Sequence, residues 1–275
     1  MTFECRRQRF LWCARDAVYF PPGKSGNILR GAFGTVLEPA ARERFFAPRG
    51  EGPSGLADRP RPFVFRAAHL DGRHIRPGEA FHFDVHLFDC SDDALGTFAA
   101  AFQQFPECGL GPGRARVRLE GVEALPAPPI RLDEAVPASC VGVRFVTPTE
   151  LKGGATPAAG PDFAVLFARL RDRVSTLRAL YGPGPLEIDF RAMALRAAAV
   201  RTTRCDLTRV SLERRSSRTG QTHPLGGFTG EAEYEGDLGE FIPYLLAGVW
   251  TGVGRQTVWG KGELEVRLLS RPPGR

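Results

Sequence analysis

Glycine and cationic residues are concentrated in one short stretch near the C-terminal end of the sequence. Arg255 and Lys261 lie within it. Five glycines fall there within fifteen positions: Gly248, Gly252, Gly254, Gly260 and Gly262. Because glycine lets the backbone approach a phosphate closely and cations neutralise its charge, the stretch is a candidate phosphate-binding loop.

The order of elements around this stretch excludes one kind of phosphate site and leaves two interpretations open. An apolar pattern at helical spacing precedes the glycines, and a strand-like pattern follows them. A dinucleotide-binding motif needs the strand first and the helix afterwards. The glycines therefore indicate either a loop that contacts a polyanion or a helix that ends at Gly252 and is followed by a bulged strand.

A second group of candidates precedes the last predicted helix. Arg214, Arg215 and Arg218 form a cationic run before His223. Such a run suits either a nucleic-acid stem or a solvated strand edge, and the sequence leaves both interpretations open.

Histidine, the side chain best suited to proton transfer near neutral pH, is placed unevenly. None occurs before His69, and four surround the second and third predicted strands: His69, His74, His82 and His86. His82 and His86 share the polar face of the third strand, which predicts a solvated sheet surface rather than a metal site. His223 lies in a loop and is the better placed histidine for catalysis.

Composition limits the class of protein without deciding its function. Lys and Arg number 37 against 31 Asp and Glu, for a net charge of +6 and a pI near 9.3. This surplus is compatible with a polyanionic partner. The six cysteines include no C-x-x-C pair, and no histidine lies nearby at zinc-ligand spacing, so we expect no metal and no cofactor. No signal-peptide pattern and no membrane span is present, which predicts a soluble, cytoplasmic protein.

Hydrophobic periodicity predicts the same order of elements twice. In the first half, a strand, helix, strand, strand, helix and strand are expected at residues 3–15, 26–46, 63–69, 80–89, 92–105 and 113–124, with Asn27 and Ser91 as helix caps. In the second half they are expected at residues 139–146, 162–181, 201–213, 226–234, 238–249 and 257–269. Between them, residues 125–137 hold four prolines and read as a stiff linker.

This order is that of the ferredoxin-like, split β-α-β unit. The sequence therefore predicts an α+β protein of two tandem ferredoxin-like (RRM-like) domains. The predicted boundaries are residues 1–135 for the N-terminal domain and 136–275 for the C-terminal domain, which carries the glycine-rich loop.

Four stretches occur in collinear order along most of the chain: GNILRGAFGTVL in the first helix, FVTPTELKG after the linker, SSRTGQTHPLGGFTGEAEYEGDL before the last helix, and GVGRQTVWGKG after it. Together they resemble the repeat-processing CRISPR endoribonucleases of the RAMP superfamily. The resemblance implies a CRISPR repeat RNA as substrate and metal-independent cleavage by the 2′-hydroxyl next to the scissile phosphate. It also implies that the guide RNA stays bound and that other subunits of an effector complex are partners.

The resemblance also assigns residues. Gly252, Gly254, Arg255, Gly260 and Gly262 match the loop that contacts RNA, with Lys261 as a second cation. Arg214, Arg215 and Arg218 are expected to contact the RNA stem.

At the catalytic position the sequence departs from the family, in which many members use a histidine in or near the first helix. Here that region offers Arg30, with Lys24 and Tyr19 upstream. Arginine stays protonated, so Arg30 is expected to stabilise charge on the phosphate, with His223 as the histidine alternative. Two rival functions stay open: a cleavage-incompetent subunit that binds the repeat hairpin, and a backbone subunit that coats the guide RNA.

Overall fold

The computed structural model of the chain describes residues 1–46, 48, 59–105, 109–151, 161–215 and 222–270. Its N-terminal half contains strands β1 to β8 and helices α1 and α2: β1 (Thr2–Phe3), β2 (Arg6–Ala14), β3 (Val18–Tyr19), α1 (Ser25–Val36), β4 (Phe63–Arg66), β5 (His74–Ile75), β6 (Ala80–Leu87), α2 (Asp92–Gln103), β7 (Val117–Leu125) and β8 (Ile130–Arg131). A short helical turn (Pro39–Ala41) and a π-helical turn (Arg42–Phe46) follow α1, and a 3-10 turn (Ala68–Leu70) follows β4.

The C-terminal half contains the remaining elements: β9 (Cys140–Thr149), α3 (Phe163–Tyr181), α4 (Phe190–Ala198), β10 (Arg201–Val210), β11 (Glu213–Arg215), β12 (Thr222–Pro224), β13 (Gly227–Glu235), α5 (Ile242–Thr251), a 3-10 turn (Thr257–Trp259) and β14 (Leu264–Leu268). Within the described residues, no helix is long and apolar enough to cross a membrane.

The two halves form sheets of the same topology. The N-terminal sheet has the antiparallel order β4-β6-β2-β7, and the C-terminal sheet has the antiparallel order β10-β13-β9-β14. In each, the first and third strands of the β-α-β-β-α-β unit lie at the centre. The prediction of two tandem ferredoxin-like units is confirmed.

Aromatic side chains fill the core of the N-terminal half. Strand β6 alternates so that Phe83 lies on the same face as the other apolar residues of the strand and packs against the two helices. Phe33 of α1 and Phe102 of α2 have ring centroids 5.2 Å apart, and Phe10 of β2 lies 4.2 Å from Phe102. These rings are fully buried, so the core lies between the sheet and the two helices.

The C-terminal half is built in the same way, with α3 and α5 on one face of its sheet. Val143 and Phe145 of β9 and Tyr234 of β13 are buried beneath these helices. The hydroxyl of Tyr234 donates to the carbonyl of Pro161 at 3.0 Å, so this phenol is hydrogen-bonded inside the core.

Several predicted boundaries are wrong for identifiable reasons. Helix α1 begins at Ser25, so Asn27 lies inside the helix and is not its cap, whereas Ser91 caps α2 as predicted. The last strand begins at Leu264 rather than near residue 257, because Gln256 and the glycines after it adopt positive φ angles that an extended strand does not allow. Helix α4 was not predicted; Asp189 caps it by accepting from two backbone N–H groups.

The proline-rich segment at residues 125–137 is docked on the C-terminal half. Strand β8 within it pairs with β1 at the start of the chain. Phe3 and Leu132 are buried in the core of the C-terminal half. The domain boundary near residue 135 stays a prediction, since the ends of the first domain contribute side chains to the second core.

Candidate nucleic-acid interface

The glycine-rich loop, defined here as residues 252–262, is a compact structure held by backbone contacts. It begins where α5 ends, at Gly252 with φ of 68°. The Val253 N–H donates to the Gly262 carbonyl at 2.9 Å, and the Gly262 N–H donates to the Pro148 carbonyl at 3.2 Å. A Cβ atom on Gly262 would overlap the Val253 carbonyl, and one on Gly254 would overlap the Glu150 carbonyl. Close packing of backbone therefore requires glycine at these positions.

The loop meets the first helix at the seam between the two halves. A Cβ atom on Gly26, in the first turn of α1, would lie 2.7 Å from the Cα of Gly260. The same turn is fixed from within its own half, because the Ser25 N–H donates to Asp71 at 2.9 Å and the Ser25 hydroxyl donates to the Ala67 carbonyl at 2.8 Å. The structure thus joins the two stretches that sequence reasoning singled out.

Arg30 bridges the helix to the loop. Its guanidinium carbon lies 4.2 Å from the centroid of the Phe46 ring and 5.5 Å from that of Trp259. Leu29 and Phe33, on the neighbouring face of α1, are fully buried. Arg30 is therefore off the buried stripe and at the seam, and cation–π contacts hold it there.

The other two candidates near α1 have different surroundings. Lys24 is half-buried and immediately precedes the first turn of α1. Tyr19 lies on the β3–β5 ribbon, where its exposed ring stacks on His74 with centroids 4.1 Å apart. Lys24 therefore lies next to the seam, whereas Tyr19 is held by His74, which is not part of the glycine-rich loop.

Arg255 and Lys261, the two cations of the loop, share one carboxylate but differ in exposure. Arg255 donates to Glu150 at 2.9 Å and is 52% exposed. Lys261 is only 4% exposed, and its ammonium donates to Glu150 at 3.3 Å, Gln256 at 3.0 Å and the Gly226 carbonyl at 2.7 Å. Three acceptors match the three donors of an ammonium. Lys261 thus holds the loop together, and a phosphate contact by it stays a prediction that requires exchange of a partner.

Burial and charge act against each other in this cluster. Burial lowers the pKa of Lys261, and the nearby carboxylate of Glu150 opposes that shift. Burial also disfavours ionisation of Glu150, but hydrogen bonds and charge from Arg255 and Lys261 outweigh it and lower the pKa of Glu150. The carboxylate is therefore ionised at neutral pH. Sequence reasoning missed Glu150 because it lies 105 positions before Arg255.

The cationic run lies on a separate hairpin. Arg214 and Arg215 belong to β11, and Arg214 is paired with His223 of β12 in the strand register. Arg218 lies outside the described residues. The structure therefore places the described members of this group on one hairpin that includes the candidate histidine.

The polar face of the N-terminal sheet is not solvated at His86, contrary to the sequence prediction. His86 is 4% exposed, because the end of α5 covers it. Its Nδ1 contacts the Trp250 carbonyl at 3.0 Å, and its Nε2 accepts from Arg7 at 3.3 Å. Since a carbonyl only accepts and a guanidinium only donates, the proton is on Nδ1. Burial lowers the pKa of His86 well below its ordinary value, so this histidine is neutral.

Comparison with protein families gives two matches along the chain. Residues 143–264 match the family model of the CRISPR-associated endoribonuclease Cas6, and residues 3–135 match a model described as an N-terminal domain. No curated protein matches the chain. The Cas6 match includes the glycine-rich loop and Glu150, whereas α1 with Arg30 lies in the residues that match the N-terminal domain model.

Solved structures with a similar fold are also found. Cas6 of Thermus thermophilus in its product complex is 20% identical, with a TM-score of 0.60 over 95% of this chain and 98% of that chain. A Cas6-related protein of Pyrococcus furiosus is 13% identical, with a TM-score of 0.53 over 96% of this chain and 98% of that one. A partial Cas6-RT-Cas1–Cas2 complex gives 10% identity and a TM-score of 0.64 over 99% of this chain but 47% of that one. These similarities show a shared fold.

Proposed function

We propose that this chain, whose residues 143–264 match the family model of the CRISPR-associated endoribonuclease Cas6, binds the hairpin of a CRISPR repeat transcript and cleaves it without a metal ion. In this proposal the cut RNA stays bound and passes to an effector complex. The match to part of a Cas6-RT-Cas1–Cas2 complex supports association with other CRISPR proteins.

The contact between α1 and the glycine-rich loop is the observation that carries the proposal. Gly26 abuts Gly260, and Arg30 packs against Trp259. Cations from both halves of the chain thus line one seam, with Arg255 exposed on the loop side. A strand of RNA lying along this seam would meet positive charge from both sides, which favours a polyanionic ligand.

The proposed reaction is a transesterification within the RNA. The 2′-oxygen attacks the adjacent phosphorus, a 2′-O–P bond forms and the P–O5′ bond breaks. The 2′-hydroxyl loses its proton and the 5′-oxygen gains one, so the products carry a 2′,3′-cyclic phosphate and a 5′-hydroxyl. Arg30 would compensate charge on the pentacoordinate phosphate. Lys24 or Tyr19 would protonate the leaving oxygen.

The remaining cations have a binding role in this proposal. Arg214, Arg215 and Arg218 would contact the RNA stem, and Arg255 would exchange Glu150 for a phosphate. Glycine residues of the loop would let the RNA backbone approach closely.

A cleavage-incompetent repeat-binding subunit is the second candidate. It is favoured by the packing of Arg30 between Phe46 and Trp259 and by the lack of any histidine before His69. A side chain stacked in this way holds the seam together whether or not it takes part in chemistry. The two candidates share the binding surface and differ only in turnover.

Single-turnover cleavage of the cognate repeat in EDTA tests the proposal, with binding measured in parallel. We expect Arg30→Ala to slow cleavage by about a hundredfold, the cost of removing one donor to a developing anion. We expect Lys24→Ala and Tyr19→Phe to slow it less, and His223→Ala to retain activity.

The outcomes separate the alternatives. Loss of cleavage in His223→Ala alone would overturn the arginine mechanism, and a requirement for added magnesium would overturn metal independence. Tight hairpin binding with no cleavage by the wild-type protein would establish the second candidate. Binding that grows with RNA length and shows no preference for the hairpin would indicate a guide-coating subunit instead.

A further inference from the structure

The C-terminal end of α5, where the glycine-rich loop begins, is capped by side chains from other elements. The last carbonyls of an α-helix have no partner within the helix. Here the Arg66 guanidinium donates to the carbonyls of Val249 and Trp250, each at 3.0 Å, and the Nε of Arg173 donates to the Thr251 carbonyl at 3.1 Å. The negative end of the helix dipole thus meets two guanidinium groups, a favourable arrangement.

Arg66 makes this contact from the other half of the molecule. It is the last residue of β4 and is 7% exposed. The sequence separation between Arg66 and Trp250 is 184 residues. Burial lowers the pKa of Arg66, and the charge of Glu263, at the far end of the loop, opposes that shift. The buried guanidinium can keep its hydrogen bonds only while β4 and the end of α5 stay in contact. Arg66 therefore holds these two elements in one relative position.

The loop is therefore attached to the N-terminal half at both of its ends. At its start, Arg66 donates to the Trp250 carbonyl in the last turn of α5. Gly252 directly follows this helix and turns the chain into the loop. Near its end, Gly260 packs against Gly26 of α1. The path of residues 252–262 between these points sets where Arg255 lies relative to Arg30.

We propose that Arg66 is a positioning residue for the RNA-binding seam. It fixes the end of α5, and through it the glycine-rich loop, against the N-terminal half, so that cations of both halves face one RNA strand. This inference rests on the proposed function for its effect on RNA. Its effect on the loop itself is independent of RNA.

Arg66→Met tests the inference, because methionine keeps much of the side-chain volume and removes the charge and both hydrogen bonds. Removing the guanidinium leaves the Val249 and Trp250 carbonyls without this donor, so we expect some loss of thermal stability. A positioning role predicts a further effect: the affinity of the folded variant for the repeat hairpin falls by about tenfold, equivalent to about 1.4 kcal/mol, beyond what its loss of thermal stability accounts for. Arg66→Lys keeps the charge but not the forked geometry, and we expect an intermediate loss.

Amide hydrogen exchange without RNA provides the second readout. We expect the Val253 amide, which donates within the loop, and the Gly262 amide, which donates to the Pro148 carbonyl of β9, to exchange at least about tenfold faster in Arg66→Met. Amides between β9 and β13 should be unchanged. Arg144→Met, on the exposed face of the C-terminal sheet, is the matched control and should alter neither loop exchange nor affinity.

Each result decides one of the two proposals. If the wild-type protein fails to bind repeat RNA, the proposed function is overturned. The rate of amide hydrogen exchange in the loop still tests the role of Arg66 in that case. Unchanged loop exchange in both Arg66 variants overturns the positioning role, even if RNA binding is strong. The positioning role is also overturned if both Arg66 variants lose affinity in strict proportion to their loss of thermal stability. That result would indicate a structural role alone.

Discussion

The polar faces of the two sheets differ, although the sheets share one topology. In the N-terminal sheet, Arg66 and His86 are buried where Trp250 of the C-terminal half contacts them, and Asp84 is buried and paired with Arg9. In the C-terminal sheet, Arg144 pairs with Glu265 at 3.1 Å, and these side chains are 52% and 53% exposed. One face is thus an interface between the halves, and the other is a solvated ladder of ion pairs.

This difference shows that the presence of ion pairs does not indicate which face of a sheet contributes to stability. An exposed pair contributes about 0–1 kcal/mol, because water screens the charges and side-chain entropy opposes the contact. On the covered face, each guanidinium or imidazole has lost water and has specific carbonyl partners, so removing one leaves buried groups without partners. We therefore expect substitutions at the seam to have large effects and those on the ladder to have small ones.

Gly262→Val should have the largest effect. Gly262 has φ of 72°, and a Cβ atom there would overlap the Val253 carbonyl. We expect a loss of about 3 kcal/mol or more in the free energy of unfolding, together with loss of hairpin binding. Urea unfolding and gel shift measure the two quantities. Gly31→Ala is the control, since nothing lies within 4 Å of that position, and it should be neutral or stabilising by up to about 1 kcal/mol.

Arg255→Ala should have an intermediate effect that is confined to RNA binding. The side chain is 52% exposed and its partner Glu150 is accessible, so the fold should persist. We expect hairpin affinity to fall about three- to tenfold, with the logarithmic salt dependence flattened by about 0.7 to 0.9. The comparison is Arg267→Ala, an exposed cation paired with Glu231 on the ladder. An equal loss in both variants would contradict the contrast between the two faces.

Glu263→Gln should have the smallest effect and one that depends on pH. Burial raises the pKa of Glu263 above its ordinary value of 4.5. Because the folded-state pKa is raised, the contribution of this carboxyl to stability is fully present below pH 4.5 and is lost as pH rises through the folded-state pKa. Glutamine does not titrate. The variant should therefore match the wild type at low pH and gain stability over it above that range.

Thermal unfolding between pH 4 and pH 9 measures this difference. Glu265→Gln, two residues further along the chain in β14 and 53% exposed, is the control and should show no such trend. A destabilised Glu263→Gln at high pH would mean that the ionised carboxylate is needed as the counter-charge of Arg66.

Local patterns in the sequence predicted most of the order of elements and the two stretches that form the candidate site. Alternation in β6 and the cap at Ser91 are local properties, and the structure confirms both. The glycine pattern also marked the loop, because the positive φ angles and close backbone contacts that it serves arise within a few residues. Helix α4 was missed because its short apolar pattern gave no period to recognise.

The contacts of each polar side chain depend on how the two halves of the chain pack together. The alternation of apolar and polar residues in β6 indicates that His86 lies on a polar face of the sheet. It does not indicate whether water or another part of the chain covers that face. Lys261 had the residue type of a phosphate ligand, yet Glu150, Gln256 and Gly226 surround its ammonium. Arg66 gave no local signal at all. Its partners lie more than 180 positions away, and contacts of that separation form only when the two halves pack together.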